Sequence, residues 1–241
     1  MAVERRLRIL AQLSAGAETD LGTQRLCQVC AEVTKVSGAG MMLMSGDLAR
    51  GSLCSTNEVS ARIEELQYTL GEGPCVDAYH QDRPVLEPDL ADPATQRWFG
   101  FAAVAVNAGV RAIFGFPLQV GSVRLGALNL YCDLPGPLSD EQHADALVMA
   151  DVAAQAMLVM QAGAPPGALA AELGAGADFQ YVVHQAAGMV SAQLDVGVGH
   201  ALIRLRAYAF GNDRPLADVS ADVVSRRLRF GDHGGRKVTG P

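Results

Sequence analysis

Residues 110–132 read VRAIFGFPLQVGSVRLGALNLYC. Two apolar runs, Val110–Val120 and Val123–Cys132, flank Gly121-Ser122, and apolar runs around so short a turn predict a β-hairpin. A helix follows closely. Ser139-Asp140-Glu141-Gln142 is a capping box, in which the serine and glutamine side chains take up free backbone N–H groups at a helix start. This helix is predicted to run to about Met160 and is apolar over most of its surface from Ala146 onward. Such a helix needs two apolar neighbours, and its own sheet and another subunit are the expected ones. Hairpin and helix together place this part of the chain in the α+β class.

Moving toward the N-terminus, residues 3–14 and 20–36 have helical apolar spacing, the second helix opened by Thr19 or Asp20. Ala39–Ser45 and Leu48–Ser55 predict a second hairpin around Gly46-Asp47. Leu70–Cys75 is turn-rich, Pro84–Glu87 is a short strand candidate, and Asp92-Pro93 is expected to open a helix with proline at its first position. Five cysteines are scattered along the chain. Cys27 and Cys30 form a C-x-x-C, but no second pair or histidine follows at zinc spacing, and Leu26, Val29, Cys30, Val33 and Val36 recur at helical spacing. A packed thiol is expected there, and no metal site.

Toward the C-terminus, residues 161–177 are rich in Ala, Gly and Pro, with Pro165-Pro166 and the pair Gly174 and Gly176, and form the best domain boundary. Three helices are expected beyond it, Asp178–Leu194, His200–Phe210 and Pro215–Phe230, with no strand pattern and a disordered tail at 232–241. The chain thus reads as an α+β domain at 1–160, a linker at 161–177 and an all-α three-helix domain at 178–231.

The chain has 241 residues, 49% hydrophobic and 19% charged, which is enough to build a core and excludes wholesale disorder or a disulfide-stapled mini-fold. A formal charge of −7 argues at first against a nucleic-acid partner. The charge is unevenly placed, however. Residues 1–179 hold 11 Lys and Arg against 21 Asp and Glu, whereas residues 180–241 hold 8 against 5. The objection therefore applies to the first domain alone. No signal-peptide pattern opens the sequence, and the longest uncharged stretch, Val152–Ala171, is broken by Gln155, Gln161 and Pro165-Pro166-Gly167. No membrane span and a cytoplasmic location are expected.

The helical part resembles the ANTAR family of RNA-binding antitermination domains. The resemblance is carried by Val183-His184-Gln185-Ala186-Ala187-Gly188-Met189, by Ala201-Leu202-Ile203-Arg204-Leu205-Arg206-Ala207-Tyr208-Ala209, and by Pro215–Val219 with Val223-Val224. The first domain resembles a GAF sensory domain through Leu66-Gln67, Leu70–Cys75, Trp98-Phe99, Gly109–Arg111, Phe116–Leu118 and Leu125–Tyr131. Together they are similar to GAF–ANTAR regulators. The resemblance implies a dimeric antiterminator that binds structured RNA with paired hexanucleotide-loop hairpins, each three-helix domain taking one loop and the GAF domain serving as sensor or dimerisation scaffold. The homodimer is expected to form through the GAF domain and the Ser139–Met160 helix. Two departures stand out: Ala187 where many relatives carry a basic residue, and Val198-Gly199-His200, where glycine replaces a stronger helix cap.

The RNA-contacting candidates are Gln185, Gly188, Arg204, Arg206, Tyr208 and Arg227. Gln185 carries a donor and an acceptor suited to a base edge. Gly188 costs about 1 kcal/mol against alanine inside a helix, a cost that close approach of another helix or of an RNA backbone would offset. Arg204 shares a helix side with Tyr208, which is either a stacking platform for an unpaired base or a core-edge aromatic. Arg206 is the arginine of the family's Leu-Arg pattern and lies roughly 200° around the helix from Arg204. Asp222 is expected to pair with Arg226, leaving Arg227 and Arg229 uncommitted, with Arg227 the stronger phosphate candidate.

Two other readings remain open: a DNA-binding three-helix regulator, and a GAF-type small-molecule sensor with a dimerising helical tail. Enzymatic activity is not expected. Gly71-x-Gly73 lacks the lysine and hydroxyl of a phosphate loop, no G-x-S-x-G elbow occurs, and the first domain has only His80 and His143 as bases. Cys75, Trp98 and Phe114 are expected in the core rather than on a ligand, and no cofactor is implied.

Overall fold

The hairpin of residues 110–132 lies within a five-stranded antiparallel sheet. Its strands are β1 (Gly38–Ser45), β2 (Leu48–Ser55), β3 (Val85–Glu87), β4 (Ala112–Val120) and β5 (Val123–Cys132), in the order β2-β1-β5-β4-β3. The computed structural model describes residues 2–15, 23–45, 48–94, 97–163, 178–231 and 234–237. By its contacts the chain divides into two units, Met1–Pro165 and Pro166–Pro241.

Period-two alternation decides what each face of the sheet packs against. Ala112, Phe114, Phe116 and Leu118 of β4 and Leu128 and Leu130 of β5 join one apolar cluster with α1 (Ala2–Ser14), α2 (Thr23–Thr34) and α6 (Asp140–Gly163). Ile113 and Tyr131 point the other way, toward α3 (Glu58–Leu70), α4 (Pro74–Gln81) and α5 (Phe99–Asn107). The first unit is thus a sheet between two helical layers. At Gly115 a Cβ would stand 2.4 Å from the Pro74 carbonyl oxygen, so only glycine lets the start of α4 sit this close to β4.

The capping box at the start of α6 forms, with Gln142 N–H donating to Ser139 Oγ at 3.2 Å and Ser139 N–H donating to Gln142 Oε1 at 2.9 Å. Asp140–Met160 is long and apolar enough to cross a membrane, but Ala146, Met149, Val152, Ala153, Ala154 and Met157 are buried against the sheet and the neighbouring helices. Beside the sheet, the neighbours it packs on are α1 and α2 of the same chain, where the expectation named another subunit. Arg5 and Arg8 of α1 pair with Asp145, and Arg6 pairs with Asp151 and donates to Gln155 at 2.6 Å.

Four further expectations change in this unit. The α2 helix is described from Thr23 to Thr34 and stops where Lys35 turns to a φ of 52°, while residues 20–22 lie outside the described residues. Cys27 is joined to Cys54 by a disulfide, Cα to Cα 6.1 Å, tying α2 to the edge strand β2, and Cys30 is a buried free thiol. The helices α3 and α4 fill a stretch to which the sequence reading gave only a turn. That turn is real: α3 ends at Gly71 with φ 68° and α4 begins with Pro74 at its first position. Finally, Asp92-Pro93 opens no helix. Asp92 instead accepts from Ala94 N–H at 2.9 Å in a local turn, and the helix begins at Phe99, where Glu72 accepts from Gly100 and Phe101 N–H at 2.8 and 2.9 Å.

The second unit has α7 (Asp178–Leu194), α8 (Val198–Gly211) and α9 (Leu216–Val224). Val183, Ala186, Ala187 and Val190 of α7, Ala201, Leu202, Leu205 and Ala209 of α8, and Leu216, Val219 and Val223 of α9 are buried. The α8 helix starts at Val198, two residues before the expected His200, with Gly197 as a cap lacking a side chain. Of the expected linker, 161–163 belong to α6 and 164–177 lie outside the described residues.

The third helix is shorter than the sequence suggested. Ser225 Oγ donates to the Ala221 carbonyl at 2.6 Å and Arg226 takes φ 61°, which ends α9 at Val224. The chain then forms an antiparallel hairpin of β6 (Leu228–Gly231) and β7 (Gly234–Lys237) where neither strand nor ordered tail was expected. The reason is legible afterwards: Leu228 and Phe230 are buried while Arg229 and Gly231 are exposed, an alternation of period two rather than 3.6.

Candidate functional site

The six RNA-contacting candidates all fall in the second unit. Gln185 and Gly188 lie exposed three residues apart on one face of α7. Open space surrounds Gly188, with nothing within 4 Å of where a Cβ would stand, so no close helix accounts for this glycine. Ala187 is fully buried and faces the core of the three-helix unit. On α8, Arg204 is exposed, Arg206 half-buried and Tyr208 half-buried.

Tyr208 is committed to the fold. Its ring stands edge-on to Phe230 of β6, centroids 5.4 Å apart, and Phe230 N–H donates to Gln193 Oε1 of α7 at 2.8 Å. The aromatic side of α8 thus carries the hairpin rather than a free stacking platform. Arg227 is likewise engaged: its Nε donates to Asp222 Oδ1 at 2.8 Å, and Arg214 holds Asp222 Oδ2 at 2.8 Å. These two guanidiniums, with Arg214 the larger influence, hold the Asp222 carboxyl below the usual carboxylate range. The expected Asp222–Arg226 pair does not form, because Arg226 lies beyond the helix end with reversed φ. Among the described residues Arg204, Arg226 and Arg229 make no ion pair.

The first unit contains a buried polar cluster that the sequence reading missed. Glu64 of α3 is 1% exposed and accepts from Asn129 Nδ2 of β5 at 3.1 Å. Gln67, one turn further on, accepts from Cys75 N–H at 2.8 Å with Oε1. Glu64 Oε2, Gln67 Nε2 and Asn129 Oδ1 have no partner among the described residues. Gly40 of β1 makes room for Glu64, since a Cβ there would lie 2.7 Å from its Oε1. Burial raises the Glu64 carboxyl to about 8 despite the Asn129 hydrogen bond, and burial together with the Glu64 charge raises the Cys75 thiol well above its ordinary value. The cluster is a neutral acid and two amides inside a sheet–helix layer. Glu64 falls among polar residues on α3, and only its register opposite Asn129 and Gly40 marks it as buried.

Cys75, Trp98 and Phe114 are all core residues. Trp98 Nε1 donates to Asp77 Oδ2 at 3.1 Å, with Arg97 over its ring. No group of three His, Cys, Asp or Glu that could hold a metal occurs among the described residues.

No curated protein sequence matches the chain. Among solved structures, the GAF domain of an Acinetobacter phosphoenolpyruvate-protein phosphotransferase is similar at TM-score 0.50 and 13% identity, covering 67% of this chain and 96% of that one. The corresponding GAF domain from Coxiella burnetii gives TM-score 0.49 and 14% identity over 66% and 96%. A domain of a putative two-component sensor histidine kinase from Sinorhizobium meliloti gives 0.47 and 15% over 57% and 88%. At these identities the Acinetobacter likeness speaks to fold only. Residues 23–158, more than half the sequence, match the family description "GAF domain", and they span α2 through nearly all of α6. The five-stranded sheet with its two helical layers is that domain: the chain belongs to the GAF domain family.

Proposed function

We propose that this protein is an RNA-binding transcription antitermination regulator. It acts as a homodimer on structured RNA with paired hexanucleotide-loop hairpins, and its GAF domain serves as sensor or dimerisation scaffold. The observation that carries the reading is the adjacency of two features in the C-terminal part of the chain. The ANTAR-like run 183–224 occupies the three-helix unit, and the basic surplus of 180–241, 8 Lys and Arg against 5 Asp and Glu, follows directly on it at residues 226–237.

Exposed Gln185, Gly188 and Arg204 are the most available contacts, Arg206 lies at the edge of the core, and Arg227 becomes available when released from Asp222. Exposed apolar side chains of the first unit support a dimer. Val3, Leu7 and Leu10 follow one another at spacings of four and three along α1, the repeat of a helix–helix seam, and Leu147 and Val159 are exposed on α6. No catalytic role, cofactor or membrane attachment is part of the proposal.

A second reading, a sensor whose helical part docks protein, has one feature in its favour: Ile203 and Phe210 are more than half exposed on α8. Exchanging charge and apolarity separately distinguishes the two. Arg204→Ala with Arg206→Ala is expected to abolish RNA binding in a gel-shift assay with the dimer intact by light scattering. If Ile203→Ser with Phe210→Ser removes RNA binding while the arginine variants keep it, the charge-based account is wrong.

A further inference from the structure

The β6–β7 hairpin lies outside the three helices and holds none of the contacts named above. Residues 226–237 hold five basic residues, Arg226, Arg227, Arg229, Arg236 and Lys237, against one acid, Asp232. Register sorts them. Leu228 pairs with Lys237 and Phe230 with Gly235, whereas Arg229 pairs with Arg236 and Gly231 with Gly234. The first set includes Leu228 and Phe230, both buried in the unit, with Phe230 held by Tyr208 and Gln193. Arg229 and Gly231 of β6 are exposed on the opposite side of that strand, and the register sets Arg236 and Gly234 at the positions facing them.

The register therefore sets an arginine opposite an arginine, followed by a glycine opposite a glycine. Like charges at directly opposed positions weaken a strand pair. The one acid close in sequence on described structure, Asp222, is already occupied by Arg214 and Arg227. A phosphate oxygen accepts from guanidinium groups in charge-assisted hydrogen bonds and removes the repulsion. Nothing lies within 4 Å of a Cβ at Gly231, so the backbone beside the arginine pair is open to close approach.

We infer that the outward face of the β6–β7 hairpin, with Arg229 and Arg236 at paired positions, is a phosphate-binding arm for the RNA backbone. This inference rests on the RNA-binding reading above and adds a contact surface outside the three helices. RNA is favoured over duplex DNA for two reasons. The ribbon's outward positions carry no amide or acid side chain to read base edges in a major groove. The last helix, which would be the recognition helix of a DNA-binding trihelix, has Asp218 and Asp222 and ends at Val224 before the first arginine.

The test uses the full chain and a synthetic RNA with two hexanucleotide-loop hairpins, titrated across about 50 to 300 mM salt. Three proteins are compared: the natural sequence, the double variant Arg229→Gln/Arg236→Gln and the double variant Arg229→Lys/Arg236→Lys. The glutamine pair is expected to weaken binding about tenfold and to lower the slope of log K against log salt by about 1 to 2. The lysine pair is expected to restore most of both. Unchanged affinity and slope in the glutamine pair, while Arg204→Ala weakens binding, would overturn the arm and leave the RNA-binding reading standing. Failure of the lysine pair to restore binding would overturn it as well, since charge would not be what the hairpin supplies. Tighter binding to a duplex DNA of equal length, lost in the glutamine pair, would replace RNA by DNA as the partner and overturn the inference as stated. If the natural sequence binds no RNA, both readings fall together.

Discussion

Tyr208 stands edge-on to Phe230, with ring centroids 5.4 Å apart and the ring planes at 66°. This contact fixes β6 to α8, and with the Phe230–Gln193 hydrogen bond it makes the hairpin part of the helical unit's core. Phe230→Ala is therefore expected to cost about 3 kcal/mol of that unit's stability, in the range of large-to-small core changes. Amide hydrogen exchange over residues 228–231 should accelerate strongly, while Tyr208→Phe, which keeps the ring, leaves it unchanged. Retained protection in Phe230→Ala would mean that the hairpin is held by something else.

Asp222 ties down Arg227, one of the proposed phosphate contacts. Its carboxyl pKa is depressed by Arg214 and Arg227, so the stabilisation it provides is present above the unfolded carboxylate pKa and fades as pH falls through the lower folded value. Both ion pairs are partly exposed, so Asp222→Asn is expected to cost at most about 1 kcal/mol in urea unfolding. The same variant releases Arg227 and should tighten RNA binding several-fold at low salt. Weaker binding in Asp222→Asn would show that the Asp222-held conformation is the binding one.

Glu64 supplies a pH dependence of the opposite sign. Its folded pKa of about 8 lies above the ordinary 4.5, so the folded state holds a proton that the unfolded chain has lost between those values. The full stability is present below about pH 4.5 as far as this group is concerned, and it declines as pH rises toward 8, by up to about 1.4 kcal/mol per pH unit. Glu64→Gln, which cannot ionise, should flatten the melting temperature against pH across this window and be the more stable protein at pH 8. Parallel pH profiles for the two proteins would contradict a buried neutral acid.

Gly188 separates stability from function. It sits exposed inside α7 with open space around it, so Gly188→Ala should raise stability by about 1 kcal/mol through helix propensity alone. If the glycine is there for close approach of RNA, the more stable variant binds RNA less tightly. A variant both more stable and equally tight in binding would remove Gly188 from the interface.

The strands of the first unit were legible because short apolar runs flank turns that carry Gly with Ser or Asp. Val110–Val120 and Val123–Cys132 became β4 and β5 almost residue for residue. The GAF resemblance, read from the Leu70–Cys75 turn and the β5 pattern, agrees with the family match. The α3 helix was hidden because it buries Glu64 and Gln67, polar residues that break the apolar period, and its start is an Asn57–Ser60 capping box rather than the hydroxyl-to-acid form. The C-terminal hairpin was hidden for a different reason. Asp218, Asp222 and Arg226 continue a helical spacing past the point where Ser225 and the reversed φ of Arg226 stop the helix. The partners of Arg227 and Tyr208 depend on that stop, so neither could be read from one-dimensional spacing.

The measurement that bears most directly on the proposed function is filter binding of the full chain to an RNA with two hexanucleotide-loop hairpins, beside the same RNA with both loop sequences scrambled, at moderate salt. An RNA-binding antiterminator is expected to prefer the intact loops at least tenfold, the scrambled RNA retaining only the salt-sensitive phosphate component. Equal affinity for the two RNAs, or no binding to either, would contradict it.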